Sequence, residues 1–154
     1  MDFKQSVTDI IIGSDHAAFD MKNCIKDYLT KLNITVEDVG AYNTESVDYP
    51  VYAKKVAQLV SSGTYEKGIL LCGTGIGMSL VANRFKNIRA ALCNDLFSAK
   101  MSRVHNDSNI LVMGARVIGD VLAKEIVSVW LQTSFEGGRH QNRLNLFNAL
   151  GETV

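Results

Sequence analysis

The chain has 154 residues, 47% of them hydrophobic and 21% charged, with a single proline, which suits one globular domain with a real core. Sixteen basic and sixteen acidic residues cancel, so no charge excess is available to track a polyanion, and long nucleic acid is not an expected partner. Asp2, Lys4 and Asp9 interrupt the N-terminal segment, and no apolar run approaches the roughly 20 residues that span a bilayer, so no membrane, signal or transit segment is expected.

The first apolar run, Asp9 to Ser14, reads as a strand buried on both faces. Ala18, Met21, Ile25, Tyr28 and Leu32 then follow at helical spacing. Ile34 to Val39 is a second strand, closed by Gly40, and a polar loop runs from there to Pro50. Tyr52, Ala53, Val56 and Val60 mark one face of a second helix, ended by Gly63. Gly68 to Cys72 is the third strand and Gly75 to Phe85 the third helix. Arg89 to Cys93 is the fourth strand, with Phe97, Met101 and Val104 as the inward face of the helix behind it. Asn109 to Met113 is the fifth strand, and Ile118, Leu122, Ile126 and Val129 mark the fifth helix.

Five strand–helix units in strict alternation predict a parallel sheet with helices on both faces, a three-layer α/β/α arrangement. Ligands in such sheets bind at the carboxyl ends of the strands, near a topological switch point. Residues 134–154 break the rhythm. After Gly137-Gly138, Leu144, Phe147 and Leu150 share one helical face but have no strand to return to. This tail either packs on its own domain or crosses to a partner, and the second is the favoured expectation.

Three cysteines, Cys24, Cys72 and Cys93, form an odd set without CxxC spacing, which suits a reducing compartment; a cytoplasmic protein is expected. Only Cys72 is followed by a glycine-rich turn, Gly73-Thr74-Gly75-Ile76-Gly77. Such a turn brings backbone donors close to a ligand, and its helix-end field favours a thiolate. A thiolate beside several N–H donors can take a proton from carbon while the donors hold the enolate oxygen. The competing reading is a buried core thiol, and position alone does not choose between them. Gly73 and Gly75 also echo a dinucleotide fingerprint, with Asp95 as its acid. The third glycine would fall on Met78, or on Leu80 in the other register, so the pattern is incomplete.

Asp15 and His16 follow the first strand, where Asp15 suits a helix cap and His16 a charge carrier near neutral pH. Three separated histidines do not make a metal site. Arg139 and Arg143 are four apart, so a helix sets both guanidinium groups on one face, either as a solvated surface or as a phosphate clamp. His105 and Asn106 precede the fifth strand and therefore sit at the amino edge, a strand length from Cys72. Either His105 only ends a helix, or it serves the site of another subunit.

Taken in order, Gly13-Ser14-Asp15-His16, Asp48-Tyr49-Pro50, Leu71-Cys72-Gly73-Thr74-Gly75-Ile76-Gly77, Ser102-Arg103-Val104-His105-Asn106-Asp107, Gly114-Ala115-Arg116-Val117 and the run from Glu136 to Arg143 resemble the type B ribose-5-phosphate isomerases. That family also includes the galactose-6-phosphate isomerase subunits. The resemblance implies a Rossmann-like five-stranded sheet in the order 2-1-3-5-4, and one sugar-phosphate isomerase domain over residues 1–154. It implies cofactor-free aldose–ketose isomerisation through an enediolate, with ribose 5-phosphate as substrate. Cys72 matches the proton-abstracting residue, Gly73 to Gly77 with Thr74 the oxyanion turn, and His105 with Asn106 the ring-opening position. Asp15, His16 and Tyr49 match substrate contacts; Arg116, Arg139 and Arg143, with His16, match the phosphate site. Active sites shared between subunits of a dimer or tetramer are also implied. The alternatives are a hexose-phosphate isomerase acting on allose or galactose 6-phosphate, and a nucleotide-binding module.

Overall fold

The computed structural model describes residues 9–150. Strand β1 (Asp9–Ser14) leads through a 3₁₀ turn (His16–Ala18) into helix α1 (Phe19–Lys31). There follow β2 (Thr35–Asp38), α2 (Tyr49–Ser61), β3 (Lys67–Cys72), α3 (Ile76–Ala82), β4 (Ala90–Leu92), α4 (Leu96–Asn106), β5 (Ile110–Gly114), α5 (Asp120–Gln132) and α6 (Arg139–Phe147).

The strands form one parallel sheet in the order β2-β1-β3-β5-β4. Alternate strand residues feed two apolar layers. Ile10, Ile12, Ile69, Leu71, Leu111 and Met113 pack with residues of α1, α4 and α5. Ile11, Leu70, Cys72, Ile110 and Val112 pack with residues of α2 and α3 on the opposite face. Every residue of β3 is buried, Lys67 included, and Gly68 to Cys72 accordingly read as an apolar run. The order reverses between β1 and β3, so the crevice beyond Ser14 and Cys72 is the switch point.

Two inward faces differ from the expectation. In α4 the buried residues are Ala99, Ser102 and Arg103, whereas Phe97 is 73% exposed. The cause is a polar network that hydropathy does not register. Ser108 Oγ bonds Ser102 Oγ at 2.8 Å and accepts from Trp130 Nε1 at 2.7 Å. The Arg103 guanidinium donates to the Ser108 carbonyl, the Asp107 carboxylate and the Thr133 carbonyl. Helix α6 is the second difference. It buries His140 and Leu144, and its lead-in donates from Glu136 N–H to Val104 O at 3.1 Å, so this face packs on its own chain. Leu146 and Leu150 stay exposed on the outside.

Helix α1 buries a lysine completely. Lys22 Nζ donates to Asp38 Oδ1 and to the Ala41 carbonyl, and Asp38 also accepts from Lys26 and from Gly40 N–H. The cluster ties α1 to the root of the loop after β2. Burial alone would raise the Asp38 carboxyl, but the bonds from Lys22, Lys26 and Gly40 outweigh it and hold the group below its ordinary range. Among the described residues no helix is long and apolar enough to cross a membrane.

Candidate active site

Cys72 ends β3 and is buried, and its Sγ accepts from Gly75 N–H at 3.1 Å. The turn that makes this bond is fixed by packing. Gly75 has φ +81°, and a Cβ there would meet Leu92 at 2.5 Å and the Met113 carbonyl at 3.1 Å. A Cβ on Gly77 would fall 2.5 Å from the Tyr49 ring, so the start of α2 lies against the turn. The glycines therefore serve first to seat the turn on β4, β5 and Tyr49. Thr74 is exposed, and its Oγ1 accepts from Ile76 N–H at 3.3 Å.

The other cysteines stay with the core reading. Burial pushes the Cys93 thiol up to about 11, against a hydrogen bond from Ser102. Cys24 is half-buried on α1, away from the strand ends.

Asp15 accepts from Ala18 N–H at 3.2 Å and so caps the 3₁₀ turn with one oxygen. His16 Nδ1 accepts from Val47 N–H at 3.2 Å, which places the proton of the neutral ring on Nε2. The loop after β2 is thereby held against the end of β1. Arg116 follows β5; its N–H donates to Gly73 O at 2.9 Å and its side chain passes over Gly73. Asp15, His16, Tyr49, Arg116 and the turn from Cys72 to Gly77 thus converge on the switch point.

His105 and Asn106 do not join them. They end α4 before β5, whereas Cys72 pairs with Gly114 at the far end of that strand. The four steps from Ile110 to Gly114 alone span about 13 Å. Arg139 and Arg143 lie on α6 beside α4, one turn apart and exposed as the spacing required. Among the described residues no carboxylate pairs with Arg116, Arg139 or Arg143. One chain therefore carries two separate groups of candidate residues, one at each edge of its sheet.

Asp95, the acid of the partial dinucleotide fingerprint, is already spent. Its carboxylate accepts from Ser98 N–H and Ser98 Oγ, each at 2.7 Å, as the cap of α4. Three buried polar residues were given no role by the sequence reading: Lys22, Arg103 and His140. His140 had a visible signal, because it stands four residues before Leu144 on the apolar face of α6. Lys22 and Arg103 had none, since charged residues are seldom buried.

A switch-point thiol seated on a glycine turn with Arg116 beside it, and a second group with two exposed arginines at the other edge, point to one family. The sequence matches the Ribose/Galactose Isomerase family over residues 10–147, and the chain belongs to it. It is 46% identical to ribose-5-phosphate isomerase B of Escherichia coli, over 92% of this chain and 95% of that one. It is 49% identical to D-erythrulose-4-phosphate isomerase of Pectobacterium atrosepticum, over 84% and 86%. The crystal structure of a ribose 5-phosphate isomerase from Thermotoga maritima superposes with a TM-score of 0.91 at 51% identity, covering 94% of this chain and all of that one.

Proposed function

We propose that this protein interconverts ribose 5-phosphate and ribulose 5-phosphate, without a cofactor, by proton transfer through an enediolate. Cys72 takes the proton from C2 of the aldose and returns it to C1, while the hydroxyl proton passes from O2 to O1. The amides from Gly73 to Gly77 and Thr74 hold the oxygen on which charge develops. His105, with Asn106, opens the furanose ring. Arg116, Arg139, Arg143 and His16 hold the phosphate, and Asp15 and Tyr49 contact the sugar.

The observation that carries this reading is the Cys72 sulfur, already bonded to the Gly75 amide at the switch point. The separation of His105 from Cys72 supports a site completed by a second copy of the chain, as a homodimer or within a tetramer. The exposed Phe97, Leu146 and Leu150, beside α4 and α6, suit such a contact. Three free thiols suit the cytoplasm.

A four-carbon sugar phosphate is the second reading, favoured by the 49% identity to the erythrulose-4-phosphate enzyme. Neither relative is named for a hexose phosphate, so that alternative is not favoured. The test is kcat/KM on ribose 5-phosphate, erythrose 4-phosphate and allose 6-phosphate under one set of conditions. Ribose 5-phosphate is expected to lead, and a higher value for either other sugar would reassign the substrate.

A further inference from the structure

Two of the chain's three histidines touch. The rings of His105 and His140 stack with centroids 4.4 Å apart and planes 23° from parallel. His140 is 3% exposed, and its Nε2 has no hydrogen-bond partner; the Glu136 carboxylate stands 4.0 Å away. Its backbone N–H donates to Gly137 O in the first turn of α6, and Leu144, one turn on, is buried on the same face, so the fold keeps this position inward. His105, by contrast, is half-exposed in the last turn of α4. A histidine ring there has a broad, roughly two-fold torsion with little to fix it.

We propose that His140 is a positioning residue for His105, its buried ring being the surface on which the His105 imidazole lies flat. The inference rests on the assignment of ring opening to His105. A general acid–base acts only from hydrogen-bonding reach of its proton, so a fixed ring plane lowers the cost of reaching that geometry. The unused Nε2 is consistent with a ring retained for its face.

Burial chiefly, then the charges of His105, Arg139 and Arg143, hold His140 below the ordinary histidine range, and only Glu136 pulls the other way. Protonation of His140 is thus disfavoured where it lies against the His105 ring.

The test uses His140→Ala, His140→Phe and His105→Asn in the full chain, with ribose 5-phosphate kinetics and carbon–proton spectra of labelled histidine. In His140→Ala, kcat is expected to fall roughly ten- to hundredfold, with KM changed less than about threefold. The His105 Cε1 proton should move downfield as it leaves the face of the second ring. His140→Phe should keep the upfield signal and recover most of the turnover, which a loss of folding would not do. In His105→Asn the His140 midpoint should rise, because a neighbouring positive charge is gone.

An unmoved His105 signal with near-normal turnover in His140→Ala would overturn the inference. So would a Phe variant as slow as the Ala variant. Normal turnover by His105→Asn would overturn the ring-opening assignment and the inference with it. Loss in His105→Asn beside normal His140→Ala would overturn the inference alone.

Discussion

Cys72 Sγ and Gly75 N are 3.1 Å apart, joined across a turn that closes on a left-handed glycine. The sulfur is thus held by a backbone donor that can stay in place while a proton is taken up and returned. Cys72→Ala should lower kcat on ribose 5-phosphate roughly a thousandfold and leave substrate affinity within about threefold. Single-turnover kinetics and calorimetric titration of the same protein check both halves. Retained turnover would remove Cys72 from the reaction.

Gly114 is the fixed wall behind that turn. A Cβ there would stand 2.6 Å from Thr74 O and 2.7 Å from Thr74 C, backbone atoms that cannot turn aside. Gly114→Ala should cost about 1–3 kcal/mol and reduce turnover together with stability. Gly119→Ala, where nothing lies within 4 Å, should shift the urea midpoint little. Equal effects at the two positions would contradict the packing account.

Two groups of residues at opposite edges of the sheet predict complementation. Cys72→Ala and His105→Ala proteins, each inactive on ribose 5-phosphate, should recover activity when mixed under conditions that exchange subunits. Heterodimers then contain one site with both residues intact. Demonstrated exchange without recovery would mean that the two residues do not share a site.

Substrate chemistry separates the two tasks further. Ribose 5-phosphate closes a five-membered ring through O4, whereas in erythrose 4-phosphate that oxygen carries the phosphate and no such ring forms. His105→Ala should therefore lose far more on ribose 5-phosphate than on erythrose 4-phosphate, while Cys72→Ala should lose equally on both. A His105 variant that fails equally on the two sugars would not be a ring-opening variant.

The Lys22–Asp38 cluster predicts an acid-side effect. Asp38 is held below its ordinary value, so near pH 4 the unfolded chain binds more protons than the folded one there. Its contribution is present above that range and is lost as pH falls through the depressed folded value. Urea unfolding of the wild type and Asp38→Asn between pH 3 and 7 should therefore converge toward the acid end. Lys22→Met, which leaves the Ala41 carbonyl without this donor, should cost roughly 3 kcal/mol at neutral pH. A difference between wild type and Asp38→Asn that does not narrow in acid would rule out this role.

Much of the fold was legible because a parallel sheet writes itself as apolar runs separated by helical periods. β1 falls on Asp9–Ser14 as read, and no other strand bound shifts by more than one residue. The errors lie where polar groups are buried. α4 turns inward on Ser102 and Arg103, whose hydrogen bonds reach Ser108 and Thr133, and no local pattern announces partners that distant. At the site, Cys72 and its glycine turn were readable from spacing. The reason for the glycines was not, since Tyr49, Leu92 and Met113 meet them only through the fold. Asp95 showed the opposite limit: its distance from Gly75 suited a ribose ligand, yet its carboxylate is occupied by Ser98.

Arg103 donates to Asp107 and Ser108 beyond α4 and to Thr133 ahead of the α6 segment, with its guanidinium over the Trp130 ring. A single side chain therefore ties the end of the helix bearing His105 to the start of the segment that leads to Arg139 and Arg143. In a saturation scan scored by growth on a pentose, position 103 would tolerate as little change as the reacting residues, although its own charge is turned inward. Even lysine, which cannot divide itself among three acceptors in one plane, would score as a loss. Intolerance at this position would trace the mechanical path between the two segments rather than the chemistry.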